Sequence, residues 1–313
     1  MGGTNYSSSA ANYFAKTTST KSTNQIFTQN VAHKIAATMN PDGLKFRESR
    51  DSVAHPESLA IAIFLDVTGS MGSIPEHLIK NTLPTLMDTI IKHGVEHPHV
   101  MFSAIGDIAD DAPLQVGQYE AGDKELNECL SSVWLEGNGH GNQEEAYILA
   151  HLVAARHTSI DCFEKRGEKG ILFTIGDEAS HSKLSVAQLK KVMGYTECEE
   201  VTHEQLIAEA QRMYHIYHIH VEQGNYPSND TMGKRIVNYW RNLLPERVIL
   251  LNDSTELAEV IATTVAMIHG AAIEDVVKDF DKTTAANVTT ALARINVDVQ
   301  KNGKKQQEGV MVI

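Results

Sequence analysis

Three stretches of this chain place oxygen-bearing side chains where an apolar run ends. They are Asp66-Val67-Thr68-Gly69-Ser70-Met71-Gly72, Gly106-Asp107 and Gly176-Asp177-Glu178. A glycine-rich loop over residues 136–142 (EGNGHGN) adds a fourth. Carboxylates, hydroxyls and amides fill these positions and no cysteine does. The chemistry on offer is therefore oxygen ligation of a hard divalent cation, Mg²⁺ or Mn²⁺ rather than Zn²⁺. The Asp-x-Thr-x-Ser spacing serves that purpose. A turn leaving a strand points alternate side chains into one crevice, so Asp66, Thr68 and Ser70 converge while Val67 and Gly69 turn away. Gly69 and Gly72 permit the tight backbone.

The elements that must hold these residues follow from hydropathy. Residues 59–65 (LAIAIFL) form an uninterrupted apolar run, the pattern of a central parallel strand covered on both faces. Residues 99–105, 171–175, 214–221 and 247–251 read as further strands, and 113–119 as a short edge strand. Helical spacing appears between them, near 78–91, 123–133, 144–157, 185–193, 203–213 and 232–243. A last helix starts at the N-cap Asp253 or Ser254, carries the stripe Leu257, Val260, Ile261, Val265 and Ile268, and ends at Gly270. The alternation predicts an α/β, doubly wound, mostly parallel six-stranded sheet with helices on both faces. In such a sheet ligands sit outside the carboxyl ends of the strands, where strand order reverses.

Three regions are expected. Residues 1–50 comprise a flexible arm rich in Ser, Thr and Asn, followed from Ile26 by one weakly patterned helix through Val31, Ile35 and Met39. Residues 51–270 form the α/β domain, and residues 271–313 a helical extension (285–299) with a polar tail.

Asp66, Thr68 and Ser70, at the end of a seven-residue apolar run, resemble the metal-ion-dependent adhesion site (MIDAS) of von Willebrand factor A (vWA) domains. The match runs from roughly residue 58 to 270. The family's Asp-x-Ser-x-Ser motif has Thr68 in its middle place here. Its later threonine corresponds to Asn142, with Asn138 as competitor, and its aspartate after the fourth strand to Asp177. The resemblance implies direct ligation of Mg²⁺ (or Mn²⁺) by Thr68, Ser70 and Asn142, with Asp66 and Asp177 acting through water. One coordination position then remains for an acidic residue of a protein partner. Asp107, Glu178 and His181 are candidates for the outer shell or the partner contact.

Composition narrows the setting. The 313 residues carry a formal net charge of -13, which repels phosphate backbones and disfavours nucleic acid. Residues 260–273, the stretch nearest to a membrane span, are shorter than the roughly 20 apolar residues a bilayer needs. They also contain Thr263, Thr264, His269 and Gly270. A polar N-terminus and three cysteines without a CxxC suggest a cytoplasmic, reduced protein.

Several features carry plainer readings. Ser70 nearly spells a hydrolase nucleophile elbow, but β-branched Thr68 suits that turn badly and nothing in the sequence positions His181 as a base. Glu144 and Glu145 read as acids favouring a helix N-terminus. Asp110 and Asp111 read as turn acids, and His215, His218 and His220 as packed strand histidines. Trp134 and Trp240 sit beside leucines on helical patterns. The expected function is metal-dependent protein–protein interaction, within an intracellular assembly or with an AAA+ ATPase, and not catalysis. The rivals are a metal-assisted hydrolase on the same carboxylate edge and a self-assembling structural protein.

Overall fold

A computed structural model describes residues 5–77, 83–137 and 143–300. Its centre is a seven-stranded sheet. The strands are β1 (Leu59–Asp66), β2 (Pro98–Ile105), β3 (Leu114–Gln115), β4 (Tyr119–Glu120), β5 (Gly170–Gly176), β6 (Tyr214–Val221) and β7 (Val248–Leu251). Their order is β7-β6-β5-β1-β2-β3, with β4 also on β2. All neighbours run parallel except β3 and β4, which pair antiparallel with β2. Every residue of β1, β2, β5 and β6 is buried, as continuous apolar runs in a parallel sheet require. The extra strand arises because residues 113–119, read as one edge strand, split into two short pairings on β2.

The helices of eight residues or more are α1 (Ser8–Ser19), α2 (Leu83–Lys92), α3 (Asp123–Ser131), α4 (Tyr147–Arg156), α5 (Val186–Met193), α6 (His203–Ala210), α7 (Thr231–Leu243), α8 (Leu257–Ile268) and α9 (Lys282–Leu292). They flank the sheet, with α8 packed against α2 and α4 against α6. In α8 every residue but Glu259 and Met267 is buried. That run looked apolar enough to suggest a bilayer because it is a core helix, apolar nearly all round. Among the described residues no helix is long and apolar enough to cross a membrane.

The N-terminal fifty residues differ most from expectation. The stretch read as a flexible arm contains α1, which is capped by the Ser7 side chain and lies against α2 and α3. The single helix expected after Ile26 is instead two short turns (Thr23–Ile26 and Gln29–Ala32), a 3₁₀ turn (Ala37–Met39) and a strand (Arg47–Ser49). Ile26, Phe27 and Met39 are separate buried anchors, while Val31, taken as part of a stripe, is exposed. The strand pairs parallel with Thr158–Ile160. Arg50 fixes it there through Asp161 (2.8 Å) and Glu164 (2.7 Å). In the C-terminal region the helix covers Lys282–Leu292, and Val276, Val288 and Leu292 are buried with the core.

Strand order reverses at β1, whose neighbours are β2 on one side and β5 on the other. Asp66 ends β1 and Asp177 follows β5, so the two aspartates share the crevice at the switch point.

Candidate metal centre

The loop leaving β1 is short and locally determined. Asp66 Oδ1 accepts hydrogen bonds from the Thr68 amide (2.8 Å) and hydroxyl (2.6 Å), closing a turn in two residues. Gly69–Met71 then form a 3₁₀ turn, and Gly72 sits at φ +50°, the left-handed region that favours glycine. Thr68 Oγ1 lies 3.3 Å from Ser70 Oγ, while Val67 is buried in the core. Ser70 Oγ donates to Asp177 Oδ1 at 2.7 Å. The chain of oxygens Asp66–Thr68–Ser70–Asp177 is therefore continuous, as the alternate spacing predicts. Asn142 and Asn138 lie outside the described residues.

Each aspartate is held from behind. Asp66 Oδ2 accepts the Tyr147 hydroxyl of α4 at 2.7 Å. Asp177 Oδ2 accepts the amide of Asn225 at 2.5 Å, from the loop after β6. That loop approaches closely because residue 224 is glycine, since a Cβ there would stand 2.2 Å from Asp177 Oδ2. Beneath lies an aromatic block. Trp240 of α7 stacks on His218 of β6 (3.7 Å, 11°) and meets Tyr147 edge-on at 5.4 Å. Its indole N–H donates to the Glu178 carbonyl (2.9 Å), tying α7 to the site loop.

The outer candidates separate. His181 Nε2 bonds Asp107 Oδ1 at 2.7 Å, linking the loops after β2 and β5. Among the described residues the hydrogen bonds of Ser70 go to Thr68 and Asp177. Glu178 is buried beside the pair, and its carboxyl is pushed up to about 7 by burial and then by Asp177, Asp66 and Asp107. Burial, opposed by its three hydrogen-bond donors, and the charge of Asp177 hold the Asp66 carboxyl above the usual range.

Sequence reading missed two residues. Tyr147 carried no polar signal within an apolar helix. Glu145 looked like a helix-dipole acid, but α4 begins only at Tyr147. Glu144–Glu145 instead pair in parallel with Ala179–Ser180, which turns Glu145 inward to 2% exposure. Period-two alternation, the cue that separates the two glutamates, is too short there to read.

His215, His218 and His220 are packed within β6, as expected, and His151 and His203 are buried on the helices α4 and α6. His151 donates or accepts with His203 at 2.9 Å, and His218 pairs with the Thr174 hydroxyl at 3.0 Å. Burial lowers His151 to about 4 and holds His203 and His218 well below the ordinary value. His99, His157, His215 and His220 are lowered as well, chiefly by burial. Against these stand the raised carboxyls of Asp66, Glu120, Glu145, Glu178 and Glu259. A lowered histidine contributes stability that is complete above pH ~6.5 and lost as pH falls, because the unfolded chain takes the proton. A raised carboxyl contributes in the opposite sense, present in acid and lost as pH rises. The histidines are the larger group, so stability of the metal-free protein is expected to fall from pH 6.5 to pH 5. The urea midpoint measures this, and a midpoint that climbs on acidification contradicts it.

The donor set fits a hard divalent ion. The hydroxyls of Thr68 and Ser70 donate to carboxylates that sit buried beside one another, whose charge an oxygen-seeking cation would relieve. Among the described residues no three His, Cys, Asp or Glu side chains converge closely enough to hold a metal on their own. A cation here would therefore need the hydroxyls of Thr68 and Ser70 as ligands.

No protein-family model matches the sequence, and no curated protein sequence matches it. Among solved structures the chain is similar to the pilus adhesin SpaC of Lactobacillus rhamnosus GG, at 11% identity and a TM-score of 0.44 over 76% of this chain and 33% of the adhesin. It is similar to proximal thread matrix protein 1 of the mussel byssus, at 10% identity and 0.43 over 73% of this chain and 47% of that one. It is also similar to an aerotolerance-related membrane protein of Bacteroides fragilis, at 13% identity and 0.40 over 67% of this chain and 99% of that one. The chain thus spans about a third of the adhesin and about half of the thread protein.

Proposed function

We propose that the α/β domain is a vWA-type interaction module that seats Mg²⁺ or Mn²⁺ at the switch point and offers it to an acidic residue of a protein partner. The observation that carries this is the unbroken run of oxygens from Asp66 through Thr68 and Ser70 to Asp177, set by two strands far apart in sequence. Thr68 and Ser70 would hold the ion, Asp66 and Asp177 would support it through water, and Asn142 would complete the set. When bound, the cation supplies a Lewis-acidic position for an outside oxygen ligand. Neutral hydroxyl ligands leave it electrophilic enough to attract one.

The role is non-catalytic in this reading. Among the described residues the Ser70 hydroxyl bonds Thr68 and Asp177 rather than a histidine, and His181 bonds Asp107. In this reading the setting is reduced and cytoplasmic, with Cys129, Cys162 and Cys198 free, and the partner belongs to an intracellular assembly such as an AAA+ ATPase. The test is capture of the partner from the native host, with 5 mM Mg²⁺ or with EDTA, beside a direct Mn²⁺ titration of the purified chain. Capture should need the cation. Equal capture in EDTA, or no Mn²⁺ binding, ends the proposal.

A further inference from the structure

Between the 3₁₀ turn Ala37–Met39 and the strand Arg47–Ser49 the chain folds around an open cleft of about 430 Å³. Asn40, Asp42, Lys45, Phe46, Arg47 and Gln118 stand in its wall. That volume falls within the range of small-molecule sites, roughly 300–1,000 Å³. Arg47 is the fixed point. Its Nη2 donates to the carbonyls of Thr38 (2.8 Å) and Val116 (2.9 Å), and its backbone amide donates to the His157 carbonyl at 2.8 Å. Among the described residues those two carbonyls take all the side-chain hydrogen bonds of Arg47, so Nη1 is left unbonded, and the buried Nε has no partner. No described carboxylate acts on this half-buried guanidinium, although the chain has 40 acidic residues against 27 basic ones. The nearest acids in the chain are engaged elsewhere. Glu48 pairs with Arg50 at 2.9 Å, and Asp42 Oδ1 lies over Gly194, where a Cβ would stand 2.0 Å from it. A guanidinium keeps its proton even when burial lowers its pKa, as burial does here, so the charge stays and its desolvation goes uncompensated. Lys45 adds a second cation, exposed and without an ion pair among the described residues. Gln118 Oε1 is buried without a partner, and the same amide turned over presents its NH₂ group instead.

We propose that this cleft binds a small molecule through an oxyanion, a carboxylate or a phosphate group, held by Nη1 of Arg47 and by Lys45. The body of the molecule lies against Phe46, whose ring is 58% exposed at the cleft. Two cations with no acid set against them select an anion. The backbone bonds of Arg47 hold its guanidinium in place before the ligand arrives, which spares the ordering cost of recruiting a loose side chain. The site shares no residue with the run from Asp66 to Asp177 and does not depend on the function proposed above.

The test uses the full chain in EDTA, so that no cation at the switch point can hold the anion. Phenyl phosphate and benzoate are the probes, benzyl alcohol is the neutral control, and binding is read from amide shifts in ¹H–¹⁵N spectra. At least one anion is expected to bind at millimolar concentration or below and to move the amides of Lys45, Phe46 and Arg47, and the stronger probe identifies the preferred group. Arg47→Met should weaken that probe at least tenfold, the loss of one hydrogen bond to a charged group. Lys45→Met, whose native side chain makes no ion pair among the described residues, should weaken it at least threefold. Should Arg47→Met fail to fold, because Thr38 and Val116 lose their donor, Lys45→Met decides alone. Failure of both anions to bind, equal binding of benzyl alcohol, shifts that spare residues 45–47, or unchanged affinity in either folded variant overturns the site.

Discussion

A chain carrying Asp66→Ala together with Ser70→Ala is expected to lose at least 100-fold in Mn²⁺ affinity and all cation-dependent partner capture, while still folding. Removing a group that supports or ligates a metal costs roughly 10- to 100-fold in affinity. The two substitutions remove one of each kind. The fold survives because the effects on stability oppose one another. Without Asp66 the Thr68 amide, the Thr68 hydroxyl and the Tyr147 hydroxyl lose their acceptor. Each unpaired buried donor costs about 1–3 kcal/mol. Offsetting this, a buried carboxylate is removed from beside Asp177, ending both its desolvation and their repulsion. Circular dichroism should show native secondary structure with a lowered melting temperature. Calorimetric titration that finds wild-type affinity in this variant would place the cation elsewhere.

The largest effect on stability is expected from Gly176→Ala. Gly176 ends β5, and a Cβ there would stand 1.7 Å from the Tyr147 hydroxyl oxygen, 2.8 Å from its Cζ and 2.9 Å from Asp66 Oδ2. Tyr147 has no room to withdraw, since His218 and Trp240 both meet its ring edge-on. Nor can the strand shift easily, because β5 is hydrogen-bonded to β1 on one side and to β6 on the other. Overpacking a core usually costs about 1–3 kcal/mol, and a contact this short with backbone fixed on both sides belongs at the top of that range. A fall in melting temperature of roughly 5 °C or more follows. Adding Tyr147→Phe removes the closest atom and should restore part of the loss, although the contact to Cζ remains. A Gly176→Ala chain that melts with wild type would refute the packing described for this end of β5.

What the sequence disclosed and what it withheld divide along a physical line. β1 and β5 were legible because a strand buried on both faces is apolar nearly throughout, and each run stops at the polar residue that faces the crevice, whereas β2 and β6 keep the pattern around His99 and Ser103 and around His215, His218 and His220. Asp66, Thr68, Ser70, Asp107 and Asp177 were legible for the same reason: they stand immediately after strands. Residues whose role depends on a partner distant in the chain were not. Tyr147 reads as one more apolar helical residue until Asp66 is placed against it. His181 and Asp107 are both candidates for the outer shell or the partner contact in the sequence, but their bond to each other at 2.7 Å is not readable there. Glu145 was misread because acids at a helix start are common, and the two-residue pairing with Ala179–Ser180 leaves no periodic trace. The N-terminal fifty residues failed differently. Their few apolar side chains are isolated anchors in short turns, so a stripe fitted through them joined residues that never share a face.

The indole of Trp240 has a practical corollary. It is fully buried, lies flat on an imidazole that stays neutral, and is bonded to the backbone of the loop that carries Asp177. The only other tryptophan is Trp134, which neighbours His33. A Trp134→Phe chain would thus hold one native fluorophore wired to the crevice, and its emission would report movement of that loop without any attached dye.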